Sequence, residues 1–305
     1  MILLESPLDI DNVRNCLSKY RIVKQIDAAE TPEFSGPAVI VEYRPEANGY
    51  VSVDTMSSRW PDHMGDPKSE GMLFATWSMG HFGPLAFPYG LKRAGEQCRR
   101  WERAQEAIAR HSAYLRVRSS YIFGGRKDAP VLPKDYDPRH ELLFLTRMTS
   151  KLLNSPGTLC YFNPNGEVLA SKSIFEESLE HHERHTLPPL DLWSNIRMFQ
   201  IPDGWLLMDS VGNYQLDIPD HEVAFRSGQF PPGQVDNFIR NVSLYVLEHG
   251  DVIKDGDTID GPGNVRWQAR RFENGVSAPP RDVYFWLPFG EKGAPKSLLE
   301  RKQTG

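Results

Sequence analysis

Residues 192–222 constrain the fold of this chain more than any other stretch. Two apolar strands are joined there through Asp203-Gly204, a dipeptide suited to the positive φ angles of a tight hairpin. A third strand is expected at 214–218, after the Gly212-Asn213 break. Strands this apolar belong inside a sheet with helices closed over them. The polar residues that interrupt them are mostly acids.

The rest of the chain supplies further strands and the helices to cover them. Met1-Ile-Leu-Leu reads as a short first strand; it meets Glu5 at once and lacks the basic flank of a secretory signal. Ser6-Pro7-Leu8-Asp9 resembles a capping box, after which Ile10, Val13, Leu17 and Tyr20 share one helical face. Strands are expected at 22–26, 38–43 and 50–54. The aromatic, Gly- and Pro-rich stretch 59–90 is read as an irregular segment packed on the sheet through Trp60, Trp77, Phe82, Phe87 and Tyr89. The alternative is a pocket or partner surface. A helix at 94–110 and a strand at 112–123 follow.

Pro130 and Pro133 mark the segment after Gly124-Gly125 as the expected linker. Asp137-Pro138 then caps a helix to residue 153. A hairpin turns at Asn163-Pro164-Asn165-Gly166, and a short helix covers 173–184. Pro231-Pro232 introduces a helix with Val235, Phe238, Ile239, Val242, Tyr245 and Val246 on its apolar face, stopped at Gly250. Strands at 265–272 and 282–287 complete the pattern. Helices do not alternate with every strand, so the class is α+β, in two lobes, each a mostly antiparallel sheet covered by helices. The expected divisions are 1–125, a linker at 126–137, 138–290, and a mobile tail at 291–305.

No complete catalytic motif appears. In His181-His182-Glu183-Arg184-His185 the spacing departs from His-Glu-x-x-His, so a polar helix end is expected rather than a zinc site. Asp255-Gly256-Asp257 lacks the remaining ligands of a calcium loop. Ser210, His221 and Asp209 lie close together but without a nucleophile elbow. The hydrolase alternative therefore rests on His63 and His81 in the aromatic stretch, or on Asp255 and Asp257. No catalytic residue, metal ligand or cofactor is assigned.

Cys16, Cys98 and Cys160 are widely spaced, which argues for reduced thiols and a cytoplasmic location. No apolar run approaches the roughly 20 residues needed to cross a bilayer. Net charge is −5, unevenly spread: residues 203–260 hold 11 acids against Arg226, Arg240 and Lys254. Such a face repels nucleic acid and attracts a basic protein; the alternative is a merely solvated surface.

The hairpin at 192–222, the helix at 233–249 and the loop Lys254-Asp-Gly-Asp-Thr-Ile259 together resemble bacterial proteins found beside secreted toxins. The chain as a whole is similar to immunity proteins of type VI secretion and polymorphic-toxin systems. The resemblance implies a two-lobed antidote without a catalytic site, paired with a toxin of restriction-endonuclease fold. The expected partner is a toxin with a basic surface, with neither nucleic acid nor membrane as a ligand. Candidate contact residues are Asp209, Asp217, Asp220, Glu222, Asp255 and Asp257, with Trp193 or Trp205 as central anchors. An adaptor or chaperone of a secretion apparatus is the remaining alternative.

Overall fold

A computed structural model describes residues 1–27, 36–123 and 130–301. The fold class is α+β, built on two sheets that are antiparallel except at one strand pair. By its contacts the chain divides into two compact units, Met1–Leu192 and Trp193–Gly305.

The first unit holds a seven-stranded sheet in the order β2-β3-β4-β5-β1-β6-β7. The strands are β1 (Ile2–Leu4), β2 (Ile22–Ile26), β3 (Ala38–Arg44), β4 (Gly49–Met56), β5 (Ala113–Ser120), β6 (Thr158–Asn163) and β7 (Val168–Ala170). Its helices are α1 (Ile10–Cys16), α2 (Gly71–Ser78), α3 (Gly90–Glu96), α4 (Ala104–Arg110), α5 (Pro138–Leu152) and α6 (Lys172–His185). The aromatic stretch packs inward: Trp60, Trp77 and Phe82 are buried with Tyr114 and Phe162, whereas Phe87 and Tyr89 stay exposed. Asp9, rather than Ser6, caps α1 by accepting from the Asp11 N–H. The single helix expected at 94–110 is two helices. Gly95 allows the fold-back, since a Cβ there would lie 2.4 Å from the Ile108 side chain.

The expected boundary at 126–137 is not where the units divide. Part of it, like Gly124-Gly125, lies outside the described residues. Beyond it the chain returns to the same sheet, because β6 pairs with β1 through Ile2↔Tyr161 and Leu3↔Cys160. The division falls instead within a helical turn, α7 (Leu190–Trp193).

The second unit holds six strands in the order β11-β12-β13-β10-β9-β8. β8 (Asn195–Ile201) and β9 (Trp205–Val211) form the expected hairpin, with Asp203 at φ 64° and Gly204 at φ 74°. The third strand lies later than expected. Residues Asn213–Leu216 form a 3-10 turn and β10 is Asp220–Arg226. The turn is held by Asp220, whose carboxylate accepts from the backbone N–H groups of Gly212 and Asn213.

After β10 come α8 (Pro232–His249), β11 (Thr258–Asp260), β12 (Arg266–Phe272), β13 (Val283–Pro288) and the short α9 (Lys296–Leu299). β10 and β13 run parallel, which requires a long crossover; α8, β11 and β12 provide it. Val235, Phe238, Ile239, Val242 and Val246 bury one stripe of α8, while Tyr245, expected among them, is exposed. On the other face Trp205, Leu207, Ala224, Phe272, Val283, Phe285 and Leu287 pack with Leu298 of α9. The C-terminal segment is therefore docked as far as Arg301, contrary to the mobile tail expected from its polarity; residues 302–305 lie outside the described part.

Candidate partner-binding site

Strand register explains what became of the candidate acids. Arg197, Asp209 and Glu222 stand directly opposite one another across β8, β9 and β10. Two carboxylates facing each other between strands repel unless cations are interposed. Arg197 meets Asp209 with two bonds of 3.0 and 2.7 Å, and Arg281 Nη2 reaches the same carboxylate at 2.6 Å. Ser277 also donates its hydroxyl to Asp209. Arg301 Nη1 binds Glu222 at 2.7 Å, and the Val276 N–H donates to the other Glu222 oxygen. Asp220 accepts from Ser210 Oγ at 2.6 Å and lies 3.4 Å from Arg281 Nε.

Asp209, Asp220 and Glu222 are each 0% exposed. They are not surface contacts but the anionic half of a charge-balanced internal network. Burial pushes the Asp209 carboxyl up, but Arg197 and Arg281 outweigh it and hold that carboxyl below its ordinary range. Burial dominates at Asp220 and Glu222, which are raised despite Arg281 and Arg301. Trp193 and Trp205 are also buried, at 1% each, and offer no exposed anchor.

Nor does the network form a nucleophile site. Ser210 Oγ donates to Asp220 and accepts the His221 backbone N–H. The His221 ring instead stacks on Tyr284 and accepts from Trp286 Nε1 at 3.2 Å. Burial lowers its pKa to about 3, so the imidazole is neutral. His63 pairs with Glu70, and His81 gives its backbone carbonyl to Arg116. His181 and His185 lie ring to ring at the end of α6, where His182 Nδ1 contacts the Leu187 carbonyl. Among the described residues no group of three or more His, Cys, Asp or Glu could hold a metal ion.

Asp217, Asp255 and Asp257 are exposed, as expected. Asp217 occupies the left-handed position that ends the 3-10 turn. Asp255 accepts from the Arg271 N–H and Asp257 from the Lys254 N–H, so both also fix their own loop. These two belong to a larger acidic run that residue-by-residue selection missed. Glu248, Asp251, Asp255, Asp257 and Asp260 are all exposed and are accompanied in that span only by Lys254 among Lys and Arg.

Asp260, the last acid of that run, lines a groove of about 630 Å³ between α8 and the turn after β11. Its apolar floor includes Phe238, Val242, Ile253 and Ile259. Gln234, Asn237, Asn241 and Tyr245 line it from α8, spaced so that they form one stripe beside the buried face. This polar stripe was the available sequence signal. Gly261 brings the opposite wall close: a Cβ there would stand 2.5 Å from Trp267 and 2.9 Å from Phe238.

Residues 209–287 match the model of a domain of unknown function, DUF4261. The match runs from Asp209 to β13 and takes in α8 and the groove. No curated protein and no solved structure matches the chain.

Proposed function

We propose that this chain is a non-catalytic immunity protein of a bacterial toxin system, acting in the cytoplasm to bind and neutralise a cognate toxin. The observation that carries the reading is the exposed acidic run 248–260 beside an open groove, whereas Asp209, Asp220 and Glu222 are buried and neutralised internally. A nuclease must approach phosphates and so presents basic surface. An acidic rim speeds encounter with such a surface and occupies it in place of nucleic acid. The acidic face expected over 203–260 narrows accordingly: Asp255 and Asp257 stay as contact candidates, Asp260 joins them together with Asp251, whose carboxylate also pairs with Arg271 at 2.7 Å, and Asp209, Asp220 and Glu222 serve the scaffold. Asp217 remains a contact candidate on its own turn.

The test is coexpression with a toxin encoded beside the gene, scored by growth rescue and by affinity. Reversing Asp251, Asp255 and Asp257 to lysine should weaken binding at least tenfold, about 1.4 kcal/mol or more. Reversal at exposed Asp11 in the first unit should leave it unchanged. Full neutralisation by the triple variant would rule out this face, and failure of the unaltered chain to rescue growth would rule out that toxin as the partner.

A further inference from the structure

We infer that the groove receives an extended, cationic segment of a partner protein, added as a strand to the outer edge of β11. β11 is the last strand of its sheet and is paired on one side only. Ala269 N–H donates to the Asp257 carbonyl, and Gly261 N–H to the Val265 carbonyl. Residues 257, 259 and 261 thus address β12, so the backbone groups of 258 and 260 point the other way. Arg266 Nη2 takes the Thr258 carbonyl at 3.2 Å. The outward N–H and carbonyl of Asp260 are left facing the side from which a strand would approach.

Edge strands are commonly guarded by charge, which discourages pairing with neutral or like-charged chains. Here the guard is Asp260, whose side chain is 86% exposed and only 3.9 Å at closest from Arg266. The span 248–260 carries five acids against one lysine. This guard would repel an acidic strand and attract a lysine- or arginine-bearing one. Alternate side chains of that strand would point down onto Phe238 and Val242, between the carboxamides of Asn237 and Asn241. Backbone pairing would supply affinity and the pockets selectivity, as in strand addition generally.

The inference deepens the immunity reading by naming the partner segment, but its test requires no toxin. The full chain, isotope-labelled, is titrated with a short peptide of alternating lysine and valine. Two controls are used: the glutamate counterpart, and the lysine peptide N-methylated at every second residue to block pairing. The expected result is saturable shifts at Ile259, Asp260 and the side-chain amides of Asn237 and Asn241. Both controls should bind about tenfold more weakly or worse, and Asp260→Lys should weaken the lysine peptide by about fivefold. No binding, shifts outside the groove, or equal binding of the N-methylated peptide would overturn the inference. Groove binding together with failure of every toxin assay would leave it standing while removing the immunity reading. Toxin neutralisation without groove binding would do the reverse.

Discussion

Asp209 receives bonds from two arginines that arrive from distant parts of the second unit, Arg197 on β8 and Arg281 before β13. Removing it leaves two buried guanidinium groups facing each other. Breaking a buried ion pair costs about 3–5 kcal/mol because an uncompensated charge remains. Asp209→Ala should therefore lower unfolding stability in urea by that order; a loss under about 1 kcal/mol would mean the pair is effectively solvated. His221 gives a separate test by pH. Its folded pKa of about 3 lies below the ordinary unfolded value of about 6.5, so the unfolded state binds the proton first. The stability contributed is whole above pH ~6.5 and is lost as pH falls toward ~3, at up to about 1.4 kcal/mol per pH unit. His221→Asn keeps an acceptor near Trp286 Nε1 and removes the titration. Between pH 6 and 4 its stability should fall less steeply than that of the unaltered chain by about this slope. Parallel curves would show that His221 is hydrated or protonated in the fold.

Elements were legible where local chemistry dictated them. Asp203-Gly204 identified the β8–β9 hairpin, and the apolar spacing of Val235, Phe238, Ile239, Val242 and Val246 identified α8. Residues 214–218 misled because an apolar-polar alternation suits a strand, while the decisive bonds come from Asp220, whose side chain holds Gly212 and Asn213 in a turn. The docked tail was hidden for the same reason: nothing near Arg301 in sequence shows that Glu222 awaits it. Arg301 also stacks over Phe272, 4.0 Å from the ring centroid. Arg301→Met should retain much of that packing but strand the Glu222 charge. Burial already raises the Glu222 carboxyl, and without Arg301 protonation becomes its escape. A raised acid loses its stabilising contribution as pH rises through its folded pKa. The variant should thus be destabilised by about 3 kcal/mol at pH 8 and markedly less at pH 5. An equal loss at both values would assign the effect to packing alone. Gly261→Ala tests the groove wall in turn. The new methyl group must displace Trp267 or Phe238, at about 1–3 kcal/mol, and should abolish peptide binding in the groove.

Over the whole molecule, sequence reading found two sheets but placed the division too early. Prolines at 130 and 133 resemble a linker, yet the return of β6 to β1 is a pairing between distant residues that no local pattern reveals. Charge was misjudged for a related reason: a count along the chain cannot separate buried from exposed carboxylates. The second unit, 193–305, carries 12 Lys/Arg and 15 Asp/Glu, a net −3. Its span 248–260 alone contributes −4, so the remainder is slightly positive. On the proposed reading the attraction for a basic partner is therefore local rather than global, and its reach is limited to the Debye length, about 10 Å at 0.1 M salt and about 3 Å at 1 M. If the chain binds a toxin as proposed, association should slow by about tenfold between these salt concentrations, with dissociation changing much less. The Asp251, Asp255 and Asp257 reversal should flatten that dependence as well as weaken binding. Stopped-flow measurements across the salt range can separate the two constants. An association rate indifferent to salt in the unaltered chain would assign recognition to the shape of the groove and remove steering by its acidic border.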